Sequence, residues 1–133
     1  MPVDSFVGHR LSSVVRLAWH QDGKPDEHNV GPAHLVFDDG RGVVIAGESD
    51  WSLSLRETRS GDAGWLAAYQ YDIDEACRLS GDASQEQPFA SVIGCRLQDW
   101  EPLFDEANQL VGLRLGFDGE SLTLRLSAGE LVT

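Results

Sequence analysis

The sequence predicts a mainly β protein built from two related antiparallel units, packed as a β-sandwich or a partly open barrel. Three observations carry this expectation. The opening Pro2-Val-Asp-Ser-Phe-Val-Gly-His-Arg-Leu11 returns 86 positions later as Pro88-Phe-Ala-Ser-Val-Ile-Gly-Cys-Arg-Leu97. Ala33-His-Leu-Val-Phe-Asp38 returns 80 positions later as Leu113-Arg-Leu-Gly-Phe-Asp118. Finally, Leu113, Leu115 and Phe117, then Leu122, Leu124 and Leu126, alternate with mostly polar residues on either side of Asp118-Gly119. Asp-Gly between two alternating runs is a hairpin signal, and a period of two gives each strand one apolar face. Two units with such faces must bury them against each other, which predicts a pseudo-twofold axis.

Taken in order, residues 2–8 read as a short helical turn, with Pro2 suited to a first helical position and Gly8 to a positive-φ stop. The same Pro and Gly predict a second turn over 88–94. Arg10 to His20 reads as a strand with Leu11, Val15, Leu17 and Trp19 on one face. Val14 breaks the alternation and predicts a bulge or burial on both faces. Its counterpart, Leu97 to Phe104, contains Pro102. Proline cannot donate to a ladder, so an edge strand or a kink at Pro102 is expected there. Residues 21–32 are a polar loop, longer than its partner 105–110.

Residues 34–37 and 43–46 form a hairpin across Asp38-Asp-Gly-Arg-Gly42. Trp51, Leu53 and Leu55 alternate with polar residues and predict a strand particular to the first half. Trp65 to Asp74 is compatible with strand, through Tyr69, Tyr71 and Ile73, or with helix, through Trp65-Leu-Ala-Ala68. The strand reading returns against 51–56 and gives a middle hairpin over 51–74. Asp74 to Leu79 reads as one helical turn with Asp74 as N-cap. The whole chain, 1–133, is read as one domain, of the size a single core supports, with the repeat spanning 2–46 and 88–127.

Composition narrows the function classes. The formal net charge is −12 at pH 7. That sign argues against nucleic acid, whose phosphates need a basic surface, and permits a basic protein as partner. No apolar run approaches the roughly 20 residues that a membrane-spanning helix needs. The first residues lack a basic start and an apolar run, so a cytoplasmic location without a leader is expected. Cys77 and Cys95 are expected to be free thiols.

The chain carries no GxGxxG, P-loop, HExxH or GxSxG pattern, so no catalytic residue is assigned and no cofactor is expected. The candidate metal ligands are His20, His28 and His34, in and around the first long loop, although their spacing fits no established motif. Asp38, Asp39 and Asp118 invite a carboxylate-pair reading, but Asp before Gly serves a tight turn. Arg10 and Arg96, equivalent in the repeat, are expected to hold the turns. The four tryptophans are expected to be mainly core anchors, with Trp19, at the lip of the long loop, the most exposed to a partner. Asp99, Glu101, Asp105 and Glu106 form a local acidic patch, and together with Trp19 they are the candidate partner-binding residues.

The repeated Pro-x-x-Ser-apolar-apolar-Gly-x-Arg-Leu opening, with Leu35-x-Phe-Asp-Asp-Gly40 and Leu115-x-Phe-Asp-Gly119, resembles a group of small bacterial proteins of uncharacterised function. The shared motifs are turn and core features. The resemblance implies the duplicated β fold and a bacterial source, and it transfers no substrate, cofactor or site residue. Two functional readings follow. The first is a non-enzymatic protein-binding module of the immunity or adaptor type. The alternative is a small-molecule-binding or metal-dependent hydrolytic β-barrel with a site between the halves.

Overall fold

A computed structural model describes residues 2–21, 24–25, 31–48, 52–59, 72–73, 76–127 and 130–132. The described chain is strand, apart from turns and two short 3₁₀ segments, Pro2–Phe6 and Phe89–Ser91. The strands are β1 (Leu11–Gln21), β2 (Lys24–Pro25), β3 (Ala33–Phe37), β4 (Gly42–Gly47), β5 (Leu53–Thr58), β6 (Asp72–Ile73), β7 (Ala76–Asp82), β8 (Leu97–Phe104), β9 (Leu110–Phe117), β10 (Glu120–Ser127) and β11 (Glu130–Val132). One sheet has the order β5-β4-β3-β1-β7-β6, with β2 folded back on β1. The other has the order β11-β10-β9-β8. The sheets pack face to face as an open sandwich and do not close into a barrel.

The duplication is visible in the register. Leu11 pairs with Phe37, a bulge follows, and Ser13 pairs with Val36. In the second unit Leu97 pairs with Phe117, a bulge follows at the same place, and Asp99 pairs with Gly116. Leu35 opposite Val43 matches Leu115 opposite Leu122. The path from Leu35 to its partner Val43 is one residue longer than the path from Leu115 to Leu122, which shifts the offset after it to 79. With that shift, β5 on β4 corresponds to β11 on β10: Gly47 meets Leu53 as Leu126 meets Leu131. The strand at 53–58, expected only in the first half, therefore has a short counterpart in the second. Each unit contributes four strands.

The two units meet at a seam on the pseudo-twofold axis, where Arg10 and Arg96 form an isolated antiparallel bridge. The bonds around it are paired. Gly8 N–H donates to the Leu97 carbonyl at 2.7 Å, and Gly94 N–H to the Leu11 carbonyl at 2.8 Å. Leu97 N–H donates to His9 at 2.9 Å, and Leu11 N–H to Cys95 at 3.0 Å. Both glycines have positive φ, +93° and +81°, a region that costs other residues a steric clash. Both turns that precede them are there as expected.

The bulge resolves the broken alternation in β1. It turns Leu11 and Val14 into the same core and sends Leu17 to the outer face, so the expected grouping of Leu11 with Val15 and Leu17 is corrected. The core joins Leu11, Leu35 and Ile45 to Leu97, Leu115 and Leu124, all at most 1% exposed. Each such side chain contributes roughly 1.5–3 kcal/mol by leaving water. Phe6 lies stacked on Phe37, with ring centroids 4.5 Å apart. The N-terminal turn is thereby fastened to the core it precedes.

Two expectations in the middle of the chain need revision. Residues 76–79 were expected to be helical but belong to β7, where Trp19 to Gln21 pair with Arg78 to Ala76. The long β1 presents a second edge that only another strand can satisfy, and this pairing overrides a weak helical preference. Of the expected return strand 65–74, most lies outside the described residues. Asp72 and Ile73 pair with Cys77 and Ala76 of β7.

Candidate functional site

The outer face of the second sheet carries a charged cluster set by strand register. Glu101 of β8 lies opposite Arg114 of β9, and Asp99 lies opposite Gly116. The Arg114 guanidinium reaches both acids, with Nε 3.2 Å from Glu101 and Nη2 3.3 Å from Asp99. Gly116 is the floor of this arrangement: a β-carbon there would run into the Asp99 carboxylate and the Arg114 guanidinium. The hydrogen bond to Glu101 raises the Arg114 pKa, and Asp99 adds to the rise. The acid side chains remain 67% and 59% exposed. Ion pairs in such surroundings add little to folding, about 0–1 kcal/mol, which leaves the carboxylates open to other cations.

The patch continues into the β8–β9 hairpin. Asp105 accepts the N–H groups of Ala107 and Gln109, both at 2.9 Å, so this candidate partner residue also shapes its turn. Glu106 is exposed. Phe104, 53% exposed, stands beside these acids as one of the two large exposed apolar side chains among the described residues.

The corresponding face of the first sheet is different. Val15 and Leu17 stand where the second unit has Glu101 and Leu103, and Val44 stands at the place of Thr123. Leu17 and Val44 are buried in a second apolar cluster, with Val15 packed on it. The sequence agrees: Val43-Val-Ile-Ala46 is a continuous apolar run, as a strand buried on both faces requires, whereas β10 alternates.

A second polar cluster lies beside the seam. Asp39 and Asp118, each before a glycine, are expected to brace their own turns. Asp39 does so, accepting from Arg41 N–H at 3.1 Å and from Arg41 Nε at 2.7 Å. Asp118 instead accepts from the seam, with Arg96 N–H at 2.8 Å, and Asp38 does the same with Arg10 N–H at 3.2 Å. The Arg10 guanidinium donates to the Gly94 carbonyl at 3.0 Å, the structural use expected of it.

His9 Nδ1 is 2.8 Å from Asp38, and Nε2 is 3.9 Å from Asp39. The His9 bond holds the Asp38 pKa below its usual value, helped by Arg10 N–H. For Asp39, burial pushes upward, but the Arg41 bonds outweigh it and the net shift is down. At the place of His9 the second unit has Cys95, a free thiol whose pKa burial and then Asp118 push up. Among the described residues, His9, Asp38 and Asp39 are the set whose donor atoms gather as metal ligands would, all within 4.8 Å of one another.

The candidate ligands taken from the long loop do not assemble this way. His34 is bonded to the Thr58 hydroxyl at 2.7 Å, above Gly42, whose missing side chain makes the room. His20 and Trp19 lie on β1 opposite Cys77 and Arg78, with side chains outside the described set, and His28 lies outside the described residues. Trp51 and Trp65 also lie outside them. Trp100 packs on the core as expected and donates its indole N–H to Asp4 at 2.8 Å. Sequence reasoning passed over His9 as a ligand. The available signal was a mismatch within the repeat: His9 against Cys95, and an extra Asp in the first turn.

The fold and these surfaces define an antiparallel β-sandwich of two corresponding four-stranded units, extended on one side by β7 and β6. Comparison with known protein families, with curated proteins and with solved structures finds no match to this chain.

Proposed function

We propose that the protein is a non-enzymatic binding module, of the immunity or adaptor type, whose partner is a basic protein. One observation carries this reading. The two units share a backbone plan, yet the outer face of the first is apolar and buried, while that of the second is open and acidic around Asp99 and Glu101. Asp105 and Glu106 extend the negative surface, and Phe104 supplies an exposed aromatic ring of the kind that anchors interfaces. Complementary charge speeds and orients association with a basic partner.

The partner approaches the face of the sheet, and strand addition at its edge is disfavoured. β8 is an edge strand, and Pro102 interrupts it. In β1, Val14 turns its N–H to Ser84 and its carbonyl to Ala83 N–H, toward β7. By the period of two, Arg16 turns its backbone the same way, and Pro102 occupies the place of Arg16. The missing donor therefore lies on the open edge, where it obstructs an added strand.

Affinity capture from native lysate tests the proposal, comparing the wild type with an Asp99→Asn/Glu101→Gln double variant. A basic protein retained at low salt, released at high salt and lost from the variant supports it. Recovery of no basic protein, or equal recovery by both forms, refutes it.

A further inference from the structure

We infer that His9, Asp38 and Asp39 form a binding site for a divalent first-row transition cation, independent of the acidic face on the second sheet. The donor set is one imidazole and two carboxylates, each from a fixed piece of backbone. His9 is pinned by the seam, where its carbonyl accepts from Leu97 N–H. Asp38 and Asp39 sit in the β3–β4 turn, and Asp38 is held through its second oxygen by Arg10 N–H. Bonds of about 2.0–2.2 Å to such ligands place neighbouring donors roughly 3.0–3.4 Å apart. His9 and Asp38 already stand at 2.8 Å, and a modest rotation of Asp39 brings its carboxylate in from within 4.8 Å. The imidazole favours Fe²⁺ or Zn²⁺ over the oxygen-seeking Ca²⁺ and Mg²⁺, and the two carboxylates also admit Mn²⁺, the weakest binder of the first-row series.

The other unit provides an internal control. It shares the seam, the glycine and the first aspartate, as Gly94 and Asp118. It lacks the other two ligands: Cys95 replaces His9, and the shorter turn has no counterpart of Asp39. Arg41 is the competitor at the site. Its Nε bonds the Asp39 carboxylate, while its other nitrogens reach the Ser5 carbonyl and Glu57. A bound cation displaces the guanidinium from Asp39, and those other contacts retain it.

The test is a titration of the full chain with Mn²⁺ at pH 7, following the free ion by electron paramagnetic resonance. The expected result is one equivalent bound more tightly than about 1 mM. Asp39→Asn and His9→Gln weaken binding at least about tenfold, Arg41→Gln tightens it, and Asp118→Asn leaves it unchanged. Asp39 lies in a surface turn, so its variant keeps the readout available should the His9 variant fail to fold. Absence of binding in this range overturns the inference. So does binding that all three aspartate and histidine variants alter equally, which marks diffuse attraction of counter-ions to an acidic protein.

Discussion

Arg10 and Arg96 face each other across a single antiparallel bridge, and the hydrogen bonds flanking that bridge come in matched pairs. Two like charges directly opposed in a bridge repel. The arrangement persists because the backbone needs this pairing to join the units, and Arg10 moves its charge away to the Gly94 carbonyl.

The seam glycines make the first prediction. Nothing lies within 4 Å of a β-carbon built on Gly8 or Gly94, so a substitution there meets only the backbone penalty of positive φ. Gly8→Ala and Gly94→Ala each lower stability by on the order of 1–3 kcal/mol. Urea denaturation with an unchanged m value checks this, and equal losses at the two sites reflect their equivalence.

Asp38 and Asp39 make the second. Their pKa values lie below 3.8 in the folded protein. The unfolded chain therefore binds these protons first, and protonation favours unfolding. The stability from both groups is present above the unfolded value and is lost as pH falls through their folded values. Thermal melts from pH 7 down to pH 3 show a smaller acid-induced drop in Asp38→Asn than in the wild type.

The shared core makes the third. Leu35 and Leu115 are equivalent and buried. Truncation of either to Ala costs about 2–5 kcal/mol. Because both line one core, either variant unfolds the whole chain in a single transition, seen as coincident far-UV circular dichroism and tryptophan fluorescence.

Pro102 makes the fourth. Replacing it with Val restores a backbone donor on the open edge of β8 and removes an obstacle to strand pairing. The Pro102→Val variant self-associates with rising concentration where the wild type does not, as light scattering after size exclusion shows.

The repeat made much of this fold legible. Leu115, Leu122 and Leu124 alternate strictly and are buried, and Val14 broke its pattern at the point where the chain bulges. Residues 76–79 form a strand against a helical preference because the distant edge of β1 needs a partner there, which local propensity cannot register. The site was harder to read. His9 and Asp39 are 30 positions apart, and only folding along the seam brings them together. The histidines of the long loop drew attention by crowding in sequence, yet His34 serves Thr58.

The seam also constrains how the chain reaches this state. Its bonds join residues 8–11 to residues 94–97, so the seam closes only once the chain up to residue 97 has been gathered. Closing so long a loop carries an entropic toll before any contact returns it, and pairings of this sequence separation fold slowly. Synthesis of the first half alone leaves its apolar side without a cover. On the ribosome, the earlier copy must therefore wait for its sibling.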